Sequence, residues 1–176
     1  MRLPAVSLAL ASTLLLAGCS NLVSLNPFVT EKQAVTDPAL SGIWASADGK
    51  DLYSIRDTQD GYDIRFTTDS GESVKFKARL MVAGEVKLLD LIAADENPFQ
   101  LQVHTPVRVW TDGSTMRMTF LDSGWLREQA AKQIATTPAG DRTLIVAPSD
   151  VVREFFLKTG SDAKSYGDPS VLRRLQ

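Results

Sequence analysis

Val74-Lys75-Phe76-Lys77-Ala78-Arg79-Leu80 alternates apolar and basic residues without a break. A period of two places Val74, Phe76, Ala78 and Leu80 on one face of a strand and three cations on the other. Such a segment belongs in a sheet with one dry face and one wet face, which antiparallel pairing permits. Tyr62-Asp63-Ile64-Arg65-Phe66 and Met116-Arg117-Met118-Thr119-Phe120 repeat the pattern.

Working outward, segments rich in β-branched and aromatic residues recur at 42–46, 52–57, 62–68, 73–82, 86–93, 101–110 and 115–121. Between them stand Asp48-Gly49, Asp60-Gly61, Ser70-Gly71, Ala83-Gly84 and Asp112-Gly113. These pairs accept the backbone angles of tight hairpin turns, so consecutive strands are expected to be antiparallel. Connections this short leave no room for crossover helices through residue 94. Pro106 interrupts the sixth segment and predicts a bulge or an edge there. The expected fold is mainly β: an antiparallel meander forming a barrel or curved half-barrel of about eight strands, with 144–147 as the eighth.

After Leu121 the period lengthens. Asp122 is placed to cap a helix carrying Trp125, Leu126, Gln129, Ala130 and Ile134 at helical spacing. Ser149 is placed to cap a second, 150–158, with Val151, Val152, Phe155 and Phe156 on one face and Gly160 at its end. A last helical turn is expected from Asp168-Pro169. The barrel is thus joined by two short C-terminal helices.

The chain opens with Arg2 and an apolar run to Ala17, shorter than the ~20 residues that span a bilayer. Small residues then precede the single cysteine in Leu16-Ala17-Gly18-Cys19. The layout is that of a cleaved secretory signal, and the motif resembles the lipobox of bacterial lipoproteins. That resemblance implies lipidation at Cys19, and Ser20 in the next position implies an outer-membrane protein facing the periplasm. The domains expected are a signal peptide at 1–18, a lipidated cysteine with tether at 19–40, and one β-rich domain at 41–176. As a flexible coil the tether spans ~25 Å, although Leu22, Val23, Leu25, Phe28 and Val29 are apolar enough to dip into the interface near the lipid or to pack on the domain. Loss of Arg2 moves the formal charge from -2 to -3, which points to no nucleic acid partner. A lipidated Cys19 also leaves no thiol for disulfide, nucleophile or metal ligand.

Gly42-Ile43-Trp44 resembles the Gly-x-Trp pattern near the start of lipocalins. The resemblance implies a tryptophan plugging the closed end of an eight-stranded barrel that binds apolar ligands. Read without it, Trp44 is an ordinary buried aromatic. The stretch from Lys75 to Trp125, including Leu89-Asp90-Leu91 and Leu121-Asp122-Ser123-Gly124-Trp125, is similar to an uncharacterised kind of Gram-negative envelope lipoprotein, which implies no activity.

For a ligand-binding barrel the inward set is Trp44, Phe66, Phe76, Leu80, Met116, Met118 and Phe120, with methionines suited to a pliable pocket. His104 is the only histidine, and sharing a face with Gln102 makes it a partly solvated residue. As a general base it would need Asp90 or Asp122 beside it. No nucleophile elbow or zinc-binding helix motif accompanies it. Period two sets Asp90 on the side of Val86, Leu88 and Ile92, where a buried carboxylate needs an arginine or backbone amides. Asp57, Asp60 and Asp63 lack the order of a calcium loop and read as solvated turn acids. No catalytic residue, metal or cofactor is expected. Arg65, Lys75, Lys77, Arg79, Lys87, Arg108 and Arg117 fall on strands and together suggest a basic stripe for anionic lipid or an acidic protein surface. The leading expectation is a non-enzymatic lipoprotein binding a small apolar ligand or lipid. Its rival is an envelope assembly factor that docks a partner protein on the basic face or the helix pair.

Overall fold

The computed structural model describes residues 22–94 and 101–175. The leader and Cys19 lie outside the described residues. In chain order the strands are β1 (Leu22–Ser24), β2 (Gly42–Ser46), β3 (Leu52–Thr58), β4 (Gly61–Thr67), β5 (Ser73–Ala83), β6 (Val86–Ala93), β7 (Thr105–Asp112) and β8 (Thr115–Phe120). After them come helix α1 (Gly124–Gln133), β9 (Thr136–Ala139), β10 (Arg142–Ile145), helix α2 (Ser149–Thr159) and β11 (Ser170–Arg174). Each tight turn joins antiparallel neighbours, and the meander β2 to β8 closes through β11 into an eight-stranded barrel. No helix among the described residues is long and apolar enough to cross a membrane.

The eighth strand is not the one expected. Residues 144–147 do not enter the barrel. β10 belongs to a separate three-stranded sheet, antiparallel to β9 and parallel to β1. More than a hundred residues separate β1 from β10, so the parallel pairing needs no short crossover. The closing strand is β11, where a helical turn was expected. Its Leu172 points into the barrel between Met116 and Ser46, and its neighbours Val171 and Arg173 face out. Closure also removes the edge anticipated at Pro106, which occupies the second position of β7 and accepts from the Leu121 amide. Both helix caps shift by one residue: Ser123 caps α1, accepting from the Leu126 amide, and Pro148 precedes α2.

The apolar residues of 22–29 pack on the domain, one of the two arrangements their sequence allowed. Leu22, Phe28 and Val29 are fully buried, and they join Met81, Val86 and Leu88 from the outer faces of β5 and β6. Phe155 and Phe156 of α2, Leu126 of α1 and Ile145 of β10 complete this outer core. A second core fills the barrel itself, with Trp44, Tyr62, Leu80, Leu89, Val107, Val109 and Met116 among its members. The second half of β5 and the Val86–Leu91 part of β6 beside it are thus largely dry on both faces, as the run Leu88-Leu89-Asp90-Leu91 demands.

Beyond Ala78, β5 parts from β4, and the Val35 amide donates to the Leu80 carbonyl instead. Gly61 permits the parting. Its φ is 142°, and a Cβ there would stand 2.2 Å from the Ala78 carbonyl oxygen.

Replacing Leu172 by alanine should cost about 2–4 kcal/mol in denaturant unfolding, because β11 closes the barrel. Val171→Ala on the outer face should stay within about 0.5 kcal/mol. Equal effects would contradict closure by this strand.

Candidate functional site

Three features of the fold bear on function: the two ends of the barrel and a buried carboxylate on its outer wall. One end carries the β3–β4, β5–β6 and β7–β8 turns and the chain entering β2. Trp44 lies here fully buried, donating its indole N–H to the Leu40 carbonyl at 2.9 Å. The Arg174 guanidinium stacks 4.3 Å above the Trp44 ring and donates to the carbonyls of Ser41 and Ala39 at 2.5 and 2.6 Å. The last strand thereby fastens the first across the barrel's end.

Beside them Lys87 points inward and donates to Asp37 at 2.6 Å and to Thr111 at 3.1 Å, while the Tyr62 hydroxyl accepts from the Asp37 amide at 2.6 Å. Burial works to raise the pKa of Asp37. The Lys87 hydrogen bond, the Ala39 amide and the Lys87 charge outweigh it and hold the carboxyl below its usual 3.8. This end is sealed.

The other end differs in chemistry. Phe66, Phe76, Met118 and Phe120 face inward there with Tyr53, and all but Phe66 are only partly buried. Tyr53 packs on Phe66 at 4.9 Å, and burial, aided by the Asp51 charge, pushes its phenol up to about 12. The expected ligand set therefore divides. Trp44, Leu80 and Met116 are core that fills the barrel, while Phe66, Phe76, Met118 and Phe120 line an apolar mouth. Two hollows of about 430 and 440 Å³ lie elsewhere, one against the outer wall at Lys77, Arg79 and Asp90 and one under the β9–β10 hairpin.

Asp90 faces outward on β6 and is 2% exposed. Its Oδ2 accepts from the amides of Phe28 and Val29 at 3.0 and 3.1 Å, and its Oδ1 lies 2.7 Å from His104 Nδ1. With Asp90 as acceptor, the histidine carries its proton on Nδ1. His104 is buried rather than partly solvated, because β1 covers it: the backbones of Ser24 and His104 exchange two hydrogen bonds of 2.8 Å. The hydroxyl of Ser24, on the strand that covers His104, donates to the Asn26 carbonyl at 2.7 Å. A carboxylate and an imidazole thus stand together as in a general-base pair, but what they hold is the leading segment. Asp122 does not join them and pairs with Arg127 at 2.6 Å.

The basic stripe assembles only in part. Arg65, Lys75 and Lys77 are exposed on adjacent strands β4 and β5, with Arg65 directly opposite Lys75. Arg79 pairs with Glu31 at 2.9 Å, and Lys87 faces into the barrel. Arg108 is buried, donating to the Gly160 carbonyl at the end of α2 at 2.6 Å and stacking 4.6 Å from Trp110. Arg117 is exposed, with its guanidinium over the Trp110 ring at 5.3 Å. Asp57 and Asp63 are engaged separately, with Ser41 and Arg56. Period two located most of these residues. It missed Arg174 and set Lys87 in the outward stripe, whereas both charged ends reach polar groups at the barrel's rim. Comparison with known protein families, with curated proteins and with solved structures finds no match.

Asp90→Ala strands two buried amides and a histidine, so it should cost about 3 kcal/mol in urea unfolding. It should also open 25–35 to protease before the barrel unfolds, and an uncleaved segment would contradict the role assigned to Asp90. The lowered pKa of Asp37 contributes stability above its unfolded value of about 3.9 that is lost as pH falls through the lower folded value. Lys87→Met should flatten the acid limb of a pH–stability profile below about pH 4.

Proposed function

We propose that the chain is a non-enzymatic lipoprotein, anchored in the outer membrane through Cys19 and facing the periplasm, that binds a small apolar molecule or a lipid chain at the barrel mouth. The observation carrying this reading is the asymmetry of the barrel. Polar groups and Trp44 seal one end, whereas the other keeps three large apolar side chains, Phe76, Met118 and Phe120, partly in water. An apolar ligand would cover them and gain roughly 25 cal/mol for each Å² removed from water. Side chains fill the barrel interior, so an acyl chain or a flat ring lying on the mouth suits it better than a ligand swallowed whole.

The leader supports the location: Leu16-Ala17-Gly18-Cys19 follows a short apolar run in the layout of a cleaved signal. The Asp90–His104 pair is given a structural role because its hydrogen bonds run to the leading segment.

A second reading has its own observation. Arg65 and Lys75 are cross-strand neighbours of like charge, an arrangement that costs stability. Among the described residues neither they nor Lys77 have an ion-pair partner. An envelope protein with an acidic surface would supply one.

Mass spectrometry of lipids retained by the membrane-extracted protein tests the first reading. A bound apolar species is expected, with at least tenfold less of it on a Phe76→Glu, Phe120→Glu variant of near-normal melting temperature. Undiminished retention by that variant would overturn the mouth as the site. Loss of a co-purifying protein on reversing Lys75 and Lys77 to glutamate would instead favour docking.

A further inference from the structure

We propose that the pole formed by the start of β1 and the β9–β10 hairpin lies against the bilayer and holds lipid phosphate between Arg142 and Arg127. The proposal rests on the anchor at Cys19. Only Ser20 and Asn21 separate that cysteine from Leu22. Three peptide steps of about 3.8 Å limit the distance between the Cα atoms of Cys19 and Leu22 to about 11 Å. Leu22 is itself fixed: it is fully buried and paired with Thr143 of β10. An acylated Cys19 therefore leaves no spacer that lifts the domain away, and the anchor selects which part of the surface meets the lipid headgroups.

The parallel pairing of β1 with β10 brings the start of both strands to the same end, beside the Gly140-Asp141 turn. The hollow of about 440 Å³ opens there, lined by Thr136, Thr137 and Thr143 with Arg127, Arg142 and Asp141. Arg142 has no ion-pair partner among the described residues, and Arg127 spends one nitrogen on Asp122. Two guanidinium groups with donors left over match phosphate oxygens, which they can grip by paired N–H bonds. The outer edge of β9, an exposed strand broken by Pro138, finds polar partners in the headgroup region without exposing an apolar surface.

This placement also orients the rest. β1 lies over the β7 wall of the barrel. In an eight-membered ring β3 stands opposite β7, so Ser54 on its outer face lies on the wall farthest from β1.

The test uses the full-length acylated protein in vesicles of phosphatidylethanolamine and phosphatidylglycerol. With Cys19 capped by lipid, a cysteine introduced as Ala139→Cys or Ser54→Cys is the sole thiol available for an environment-sensitive fluorophore. A nitroxide quencher carried on lipid headgroups should quench the label at 139 several-fold more than the label at 54. Adding Arg142→Glu to the Ala139→Cys protein should lower that quenching by half or more. Equal quenching at 139 and 54 would overturn the orientation, and indifference to Arg142→Glu would overturn the phosphate contact. Intact mass of the same sample reports the acyl groups on Cys19. An unmodified cysteine would overturn the anchor, and this orientation with it.

Discussion

A buried carboxylate decides how this molecule is put together. The alternation of β6 turns Asp90 to the outside of the barrel, onto a face otherwise made of Val86, Leu88 and Ile92. Left alone among apolar groups it would be costly. Two amides from the leading segment and the Nδ1–H of His104 satisfy it. The same contacts bring Phe28 and Val29 down onto β5 and β6, where α2 and β10 close over them. The outer core thus depends on a polar interaction at its rim, and the leading segment is part of the domain.

The barrel follows a parallel logic at its sealed end. Arg174 completes β11 by binding carbonyls that precede β2 and by covering Trp44. The first and last barrel strands are therefore joined by side-chain chemistry as well as by the β11–β2 ladder. Among the described residues the opposite end presents Phe66, Phe76, Met118 and Phe120 on its inner face, and all but Phe66 remain partly wet. An architecture that is polar at one end, solid in the middle and apolar at the other offers a ligand one place to sit. It also leaves Arg65, Lys75 and Lys77 on a separate wall.

Much of this was legible in the residues. The alternation of 74–80 and its repeats set the meander, its antiparallel sense and the inward faces, and the need of Asp90 for a partner, an arginine or backbone amides, followed from its register. The closing strand was not legible. Ser170-Val171-Leu172-Arg173-Arg174 has one core residue and two arginines, and Asp168-Pro169 before it carries the chemistry of a helix start. Pairing on both sides, with β8 and β2, decides its conformation over that local preference. Residues 144–147 erred the other way: a good apolar strand by pattern, claimed by a different sheet because β1 offers a parallel edge. The leading segment was ambiguous for the same reason, since three strand residues and two buried aromatic or aliphatic side chains resemble a linker until their partners sixty or more positions away are known. Of the ligand set, pattern separated inward from outward but not floor from mouth, which depends on position along the barrel axis.

The central claim is that the segment after Cys19 is fastened to the barrel by Asp90. Native-state hydrogen exchange at the amides of Phe28 and Val29 tests it most directly. Protection approaching that of the central barrel amides of Leu89 and Val107 is the predicted result. Exchange as fast as in an unstructured peptide would mean that the segment is a free tether, and the account would be wrong.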